Sequence, residues 1–256
     1  MSTNEGLLRE EEMAFELNNK TISELTNNSK NLIKNLFGVL DENSLVECYR
    51  LDDSSKTDLV ISYNGQKHYV SMKSGAAVIV HNEILDNFIN YLRSEGISER
   101  TIKTIRLFHY GDGTEDGTGM NRQSYQDIVY QLKDEIALAN IELNKRTDFV
   151  VRVVERLVFK GSNDSFQEAD SFYFGDRNFG VVVTKNQIIK HLYRKNFDYY
   201  NNLHIGPLLL RPDCRYAGKA IRSERKRNRI VAYWPNLQSD ISYISRRYNY
   251  DYATFK

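Results

Sequence analysis

The sequence predicts an α/β protein, and three observations carry that prediction. Apolar residues recur at helical spacing in several stretches, and β-rich runs stand between them. One pair of β-runs is joined by Asn64-Gly65, the dipeptide favoured in tight two-residue hairpins. The 256 residues are 41 % apolar and 27 % charged, with 3 Pro and 14 Gly, which suits a globular chain able to bury a sizeable core. That balance excludes a collagen, a low-complexity tail and an acidic disordered segment. We read one domain over 1–256, because no Pro- or Gly-rich linker and no internal repeat divides it. No apolar run approaches the roughly 20 residues that span a bilayer. Residues 1–12 are acidic and lack the basic-then-apolar order of a signal peptide. Cys48 and Cys214 lie far apart, which excludes a disulfide framework and leaves both as core residues. A cytoplasmic chain without a membrane partner is therefore expected.

The elements follow in order. Residues 6–17 and 20–37 read as helices, the second from the spacing of Ile22, Leu25, Leu32, Ile33 and Leu36, with Gly38 as its stop. Residues 45–50 form a short β-like run, and 58–63 and 66–73 are the two arms of the hairpin. A helix is expected from about His81 to Arg93, with Ile84, Leu85, Phe88, Ile89 and Leu92 on one face. A glycine- and acid-rich loop covers 111–119. It begins like a calcium loop, but Gln123 stands where the twelfth-position Glu is needed, so a turn-rich connector is the better reading. Helical patterns resume at 123–144, followed by a β-like run at 149–159 and a strand-to-helix passage at 179–194. A last strand covers 229–234.

The hairpin also dictates which side chains meet. With Asn64 and Gly65 as the loop, Tyr63 faces Gln66 and Asp58 comes opposite Ser71. Ser71 and Lys73 alternate with Met72 and so project to one side, beside Asp58. Cross-strand neighbours have Cβ atoms roughly 4.5–5.5 Å apart, so pairing alone gathers a carboxylate, a hydroxyl and an ammonium. The plain alternative is an ordinary polar strand edge.

The pattern Asp58-x12-Ser71-x-Lys73 resembles the core of the PD-(D/E)XK nuclease superfamily, which includes most type II restriction endonucleases. In that family an Asp begins one hairpin strand and an acid-x-Lys follows on the next. Here Thr57-Asp58 stands at the first place, and Ser71 replaces the usual acid. A Ser-x-Lys subgroup recovers the lost acid from the helix after the second strand. This points to Glu83, ten residues after Lys73, with Asp86 a turn further on as the alternative. Glu24, on the helix before the hairpin, corresponds to an acid that many relatives carry near the metal. The resemblance covers about residues 20–95 and is looser beyond. It implies a restriction-endonuclease-like core, a central mixed β-sheet flanked by helices, and Mg²⁺-dependent hydrolysis of phosphodiester bonds in double-stranded DNA, with Mn²⁺ able to substitute. Asp58, Glu83 and the Met72 carbonyl would hold the ion, Lys73 would sit beside the attacking water, and Ser71 would support by hydrogen bonding.

A polyanion partner also suits the charge distribution. Residues 1–100 hold 10 Lys/Arg against 16 Asp/Glu, whereas 211–256 hold 11 against 4. Within the basic end, about 205–256, Arg222, Arg225, Lys226, Arg227 and Arg229 are read as phosphate contacts, with Arg211 and Arg215 able to join them. Duplex cleavage by one centre per chain implies a homodimer. A restriction or phage-defence role raises a cognate methyltransferase or defence complex, on which the sequence is silent. The rival reading is a nucleic-acid-binding protein on the same fold that has lost catalysis, with Ser71 marking the loss.

Overall fold

The computed structural model describes residues 3–51, 56–75, 79–119, 122–161, 167–195, 197, 199, 202–214 and 226–253. Where the sequence suggests one domain, the chain forms two compact units. The first comprises Met1–Val78, Val158–Arg194 and Asn236–Lys256; the second comprises Ile79–Leu157 and Lys195–Pro235. The second unit is thus inserted between strands of the first. Its borders carry no Pro- or Gly-rich linker, which is why composition does not mark them.

The first unit is an α/β layer structure. Helices α1 (Thr3–Leu17) and α2 (Asn27–Phe37) precede most of a six-stranded mixed sheet of β1 (Lys20–Thr21), β2 (Leu45–Arg50), β3 (Leu59–Tyr63), β4 (Gln66–Lys73), β6 (Ser171–Gly175) and β7 (Gly180–Thr184), in that spatial order. All pairings are antiparallel except β4 with β6. Helices α8 (Lys185–Leu192) and α9 (Leu237–Ala253) complete the unit. β2 alternates in the manner of a half-covered strand, burying Val46 and Cys48 while Leu45, Glu47 and Tyr49 face solvent. β3 is buried along its whole length, as befits a central strand with both faces covered. One core gathers Met13 and Leu17 of α1 and Ile33 and Leu36 of α2 with Val46, Ile61, Val70, Met72 and Tyr173 of the sheet.

The hairpin forms in the register that the Asn-Gly turn demands. Tyr63 pairs with Gln66, and the ladder runs to Leu59 opposite Val70. Asn64 and Gly65 have φ of 48° and 77°, the left-handed values that this turn type requires at both positions. The regular pairing ends there, and the Asp58 N–H donates to the Val70 carbonyl.

The second unit holds a four-stranded antiparallel sheet of β5 (Ile79–Ile84), β10 (Arg229–Tyr233), β9 (Leu208–Pro212) and β8 (His204–Ile205), in that order. Its helices are α3 (Leu85–Ser94), α4 (Glu99–Tyr110), α5 (Tyr125–Gln131), α6 (Lys133–Asn144) and α7 (Thr147–Val154).

Three expectations are corrected. The helix expected from His81 starts at Leu85. The apolar face of Leu85, Phe88, Ile89 and Leu92 is buried as read, but 79–84 is a strand. The β-like run at 149–159 is helical, as α7 followed by a wider π turn over Glu155–Lys160. Its Phe and Val residues are buried all round, and burial on every side overrides their β preference. Finally, the stretch 20–37 is a two-residue strand, a 3₁₀ turn (Ile22–Glu24) and then α2, whose start is set by the Thr26 hydroxyl accepting from the Ser29 N–H.

Candidate active site

The open end of the hairpin brings Asp58, Ser71 and Lys73 together. One oxygen of Asp58, Oδ2, accepts from the Met72 N–H at 2.6 Å, the Ser71 hydroxyl at 3.2 Å and the Lys73 ammonium at 3.1 Å. The carboxylate thereby continues the ladder where main-chain pairing stops. Lys73 Nζ also donates to the Met72 carbonyl at 2.8 Å. Ser71 is buried, while the Asp58 and Lys73 side chains keep 18 % and 28 % exposure, enough for a ligand to reach them. The second carboxylate oxygen, Oδ1, accepts no hydrogen bond among the described residues.

Sequence reading does not single out a second acid, Glu10, that feels the charges of Asp58 and Lys73. Glu10 lies on α1, one turn before the buried Met13 and two before the buried Leu17, so it shares the helix face that covers the sheet. Arg9 pins the helix next to the hairpin by donating to the Ser74 hydroxyl at 2.6 Å. Burial, and then the negative charge of Asp58, push the Glu10 carboxyl up to about 7, against the smaller opposing pull of Lys73 and Arg50. The signal available in the sequence was an acid at i−3 and i−7 from two core residues.

That shift has a consequence for stability. The folded Glu10 carboxyl keeps its proton to about pH 7, whereas its ordinary value is 4.5. Stability therefore falls as pH rises through that interval, and the loss is complete above it. Glu10→Gln is expected to stabilise the protein by about 1–2 kcal/mol at pH 8, because solvent screens part of the cost, and to change little at pH 4. Thermal midpoints of both proteins at the two pH values check this.

Glu24 is placed elsewhere. It closes a capping box, accepting from the Thr21 N–H and hydroxyl at 2.8 Å each, and it is exposed. Those bonds hold its carboxyl below the usual range.

Glu83, expected on a helix as a metal ligand, is corrected in placement. It sits on β5 of the second unit, nearly fully buried, with both oxygens engaged by Arg156 at 2.5 and 2.7 Å and with His81 Nε2 3.3 Å away. Burial alone would raise its carboxyl, but Arg156 and His81 hold it below the usual range. Arg156 also lies 4.5 Å over the Tyr91 ring. The guanidinium engages one lone pair on each oxygen, so the charge of Glu83 is already paired within the second unit. Asp86, the alternative, is exposed and paired with Arg106 at 2.6 Å.

In the basic run, Arg222 and Arg225 lie outside the described residues, as does Arg215. The three that are described each hold a partner within the second unit. Lys226 is 3.7 Å from Asp213, Arg227 is 3.2 Å from the fully buried Asp112 carboxylate, and Arg229 grips Asn82 at 2.7 and 3.1 Å. Each of the three lies beside an acceptor of its own sheet or loop, and the Lys226 side chain stays more than half exposed. The 111–119 loop is likewise self-contained, since Asp112 and Asp116 accept from the N–H and hydroxyl of Thr114 and Thr118. Cys48 is buried, and burial pushes its thiol up to about 12, as a core residue behaves.

Among the described residues, no three His, Cys, Asp or Glu side chains cluster as a ready-made metal site. What the first unit does assemble is oxygen chemistry: a carboxylate with one uncommitted oxygen, a neighbouring carboxyl that resists ionising, and the Met72 carbonyl. These are the donor types that suit a hard divalent cation. Comparison of the chain with protein-family models, with curated proteins and with solved structures gave no match.

Proposed function

We propose that the chain is a Mg²⁺-dependent endonuclease that hydrolyses phosphodiester bonds of double-stranded DNA, on a restriction-endonuclease-like core and of restriction or phage-defence type. The observation that supports it best is the convergence of Asp58, Ser71 and Lys73 at the end of one hairpin, with Glu10 of α1 kept from ionising by burial first and by the charge of Asp58 second. Asp58 Oδ1 and Glu10, with the Met72 carbonyl, are the groups that would hold the ion. Glu10 thereby takes the role that the sequence assigned to Glu83. A bound divalent cation would polarise the scissile phosphate and acidify a bound water. Lys73 would orient the attacking water and offset the charge that gathers on the phosphoryl oxygens. Ser71 donates to Asp58 and keeps that carboxylate aimed. One centre cuts one strand, so duplex cleavage calls for two copies on opposite strands. Among the described residues no helix is long and apolar enough to cross a membrane.

A second reading, a nucleic-acid-binding protein without catalysis, is favoured by one observation. In the structure Lys73 closes onto Asp58, and Ser71 stands where the family's acid would be. Incubation with supercoiled plasmid in Mg²⁺, in Mn²⁺ and in EDTA separates the two. The nuclease reading expects nicked and linear products with either metal and none in EDTA, and it expects Glu10→Gln to produce none. Intact plasmid under every condition, with retained DNA binding, establishes the second reading.

A further inference from the structure

The inserted unit holds a cation that the proposed reaction does not use. Arg211 lies on β9, and its guanidinium carbon is 4.9 Å from the ring centre of Tyr233 and 5.7 Å from that of Tyr125. The register puts Tyr233 there, because it pairs with Leu209, two residues from Arg211 on the same face of the strand. Tyr125 opens α5 and is held from two sides, its ring edge against Phe108 and its hydroxyl on Asn202. Arg211 is half-buried, its Nε is buried without a hydrogen-bond partner, and the group forms no ion pair among the described residues. Three other half-buried arginines of this unit differ. Arg106, Arg156 and Arg227 each face a carboxylate, Asp86, Glu83 and Asp112 respectively.

A guanidinium carries five N–H groups in its own plane, and withdrawing it from water without acceptors is costly. Two tyrosine rings satisfy its π faces by cation–π contact but give nothing to the N–H edge. An anion with two oxygens side by side fits that edge, and phosphate is the anion that a guanidinium fork binds in two parallel hydrogen bonds. The charge of the surrounding sequence within the same unit argues for a polyanion: residues 211–235 hold 8 Lys/Arg against 2 Asp/Glu. We infer that Arg211, clamped by Tyr125 and Tyr233, binds a backbone phosphate of the nucleic acid, an anchor in the inserted unit separate from the acids and lysine of the first. The choice of nucleic acid as the source of that phosphate rests on the nuclease reading.

The test uses the full chain and a fluorescein-labelled duplex in EDTA, where no cutting intervenes, with anisotropy read over a salt series. Arg211→Gln is expected to weaken binding about tenfold and to lower the slope of log affinity against log salt by about 1. Arg211→Lys, which keeps the charge and most of the packing, is expected to keep the slope and lose only a fewfold, because an ammonium cannot form the fork. A folded Arg211→Gln protein with unchanged affinity and slope overturns the inference, and so does an Arg211→Lys protein identical to the parent should the Gln variant fail to fold. A Gln variant that loses thermal stabilisation by inorganic phosphate but keeps its duplex affinity assigns the slot to free phosphate and overturns the nucleic-acid assignment. Cleavage in Mg²⁺ is scored separately: a parent protein that binds through Arg211 yet never cuts removes the nuclease reading and leaves this one standing.

Discussion

Lys73→Ala is expected to lower Mg²⁺-dependent cleavage of duplex DNA by about 10²–10⁴-fold while leaving duplex affinity close to that of the parent. The asymmetry follows from where Lys73 sits. Its ammonium is tied to Asp58 Oδ2 and the Met72 carbonyl, where the proposed reaction would bring the water and the phosphoryl oxygens together. It is one cation among many that a polyanion would encounter, so removing it subtracts little from binding. Asp58 keeps its hydrogen bonds from the Met72 N–H and the Ser71 hydroxyl after the change, so the fold is expected to survive. Single-turnover cleavage and anisotropy in EDTA, on the same preparation, measure both sides. Undiminished cutting by a folded Lys73→Ala protein would remove the proposal.

The second large effect is on stability. Glu83→Ala is expected to cost about 3–5 kcal/mol, because it strands the half-buried Arg156 guanidinium without its carboxylate partner. Replacing both members by Met should recover most of that loss, since the desolvation of two charges disappears together with their attraction. The sign with pH is the reverse of that at Glu10. The folded Glu83 carboxyl lies below its ordinary value, so the stability it adds is present above the carboxylate range and is lost as pH falls through the folded value. Denaturant midpoints at pH 7 and pH 3 read this directly. Cleavage gives an independent readout. A folded Glu83→Gln protein should still cut, whereas its inactivity would return Glu83 to the metal site.

The hairpin shows why three groups of the candidate site were legible and the fourth was not. Register at Asp58, Ser71 and Lys73 follows from two turn residues and the two-residue period of a strand, rules that act over a dozen positions. The fourth group comes from packing over a longer distance. Glu10 reaches the cluster only because α1 lies across the sheet, and nothing local distinguishes it from Glu11 or Glu12 except its phase with Met13 and Leu17. Glu83 was misplaced because the apolar periodicity of α3 extrapolates backwards through Ile84. The strand hydrogen bonds to β10, which claim 79–84, come from a segment more than a hundred residues away. The β-like run at 149–159 failed for a related reason, since one short apolar stretch suits a strand or an enclosed helix equally well.

The single parallel pairing in the first sheet has a consequence for the order of events during synthesis. Val70 of β4 lies beside Ser171 of β6, so about a hundred residues must be made before the lysine-bearing strand gains its neighbour on that side. Pairings so distant along the chain are entropically slow to close. A ribosome-bound fragment ending before residue 171 therefore carries Lys73 on an unprotected ribbon edge, which is covered only after most of the inserted unit has been translated.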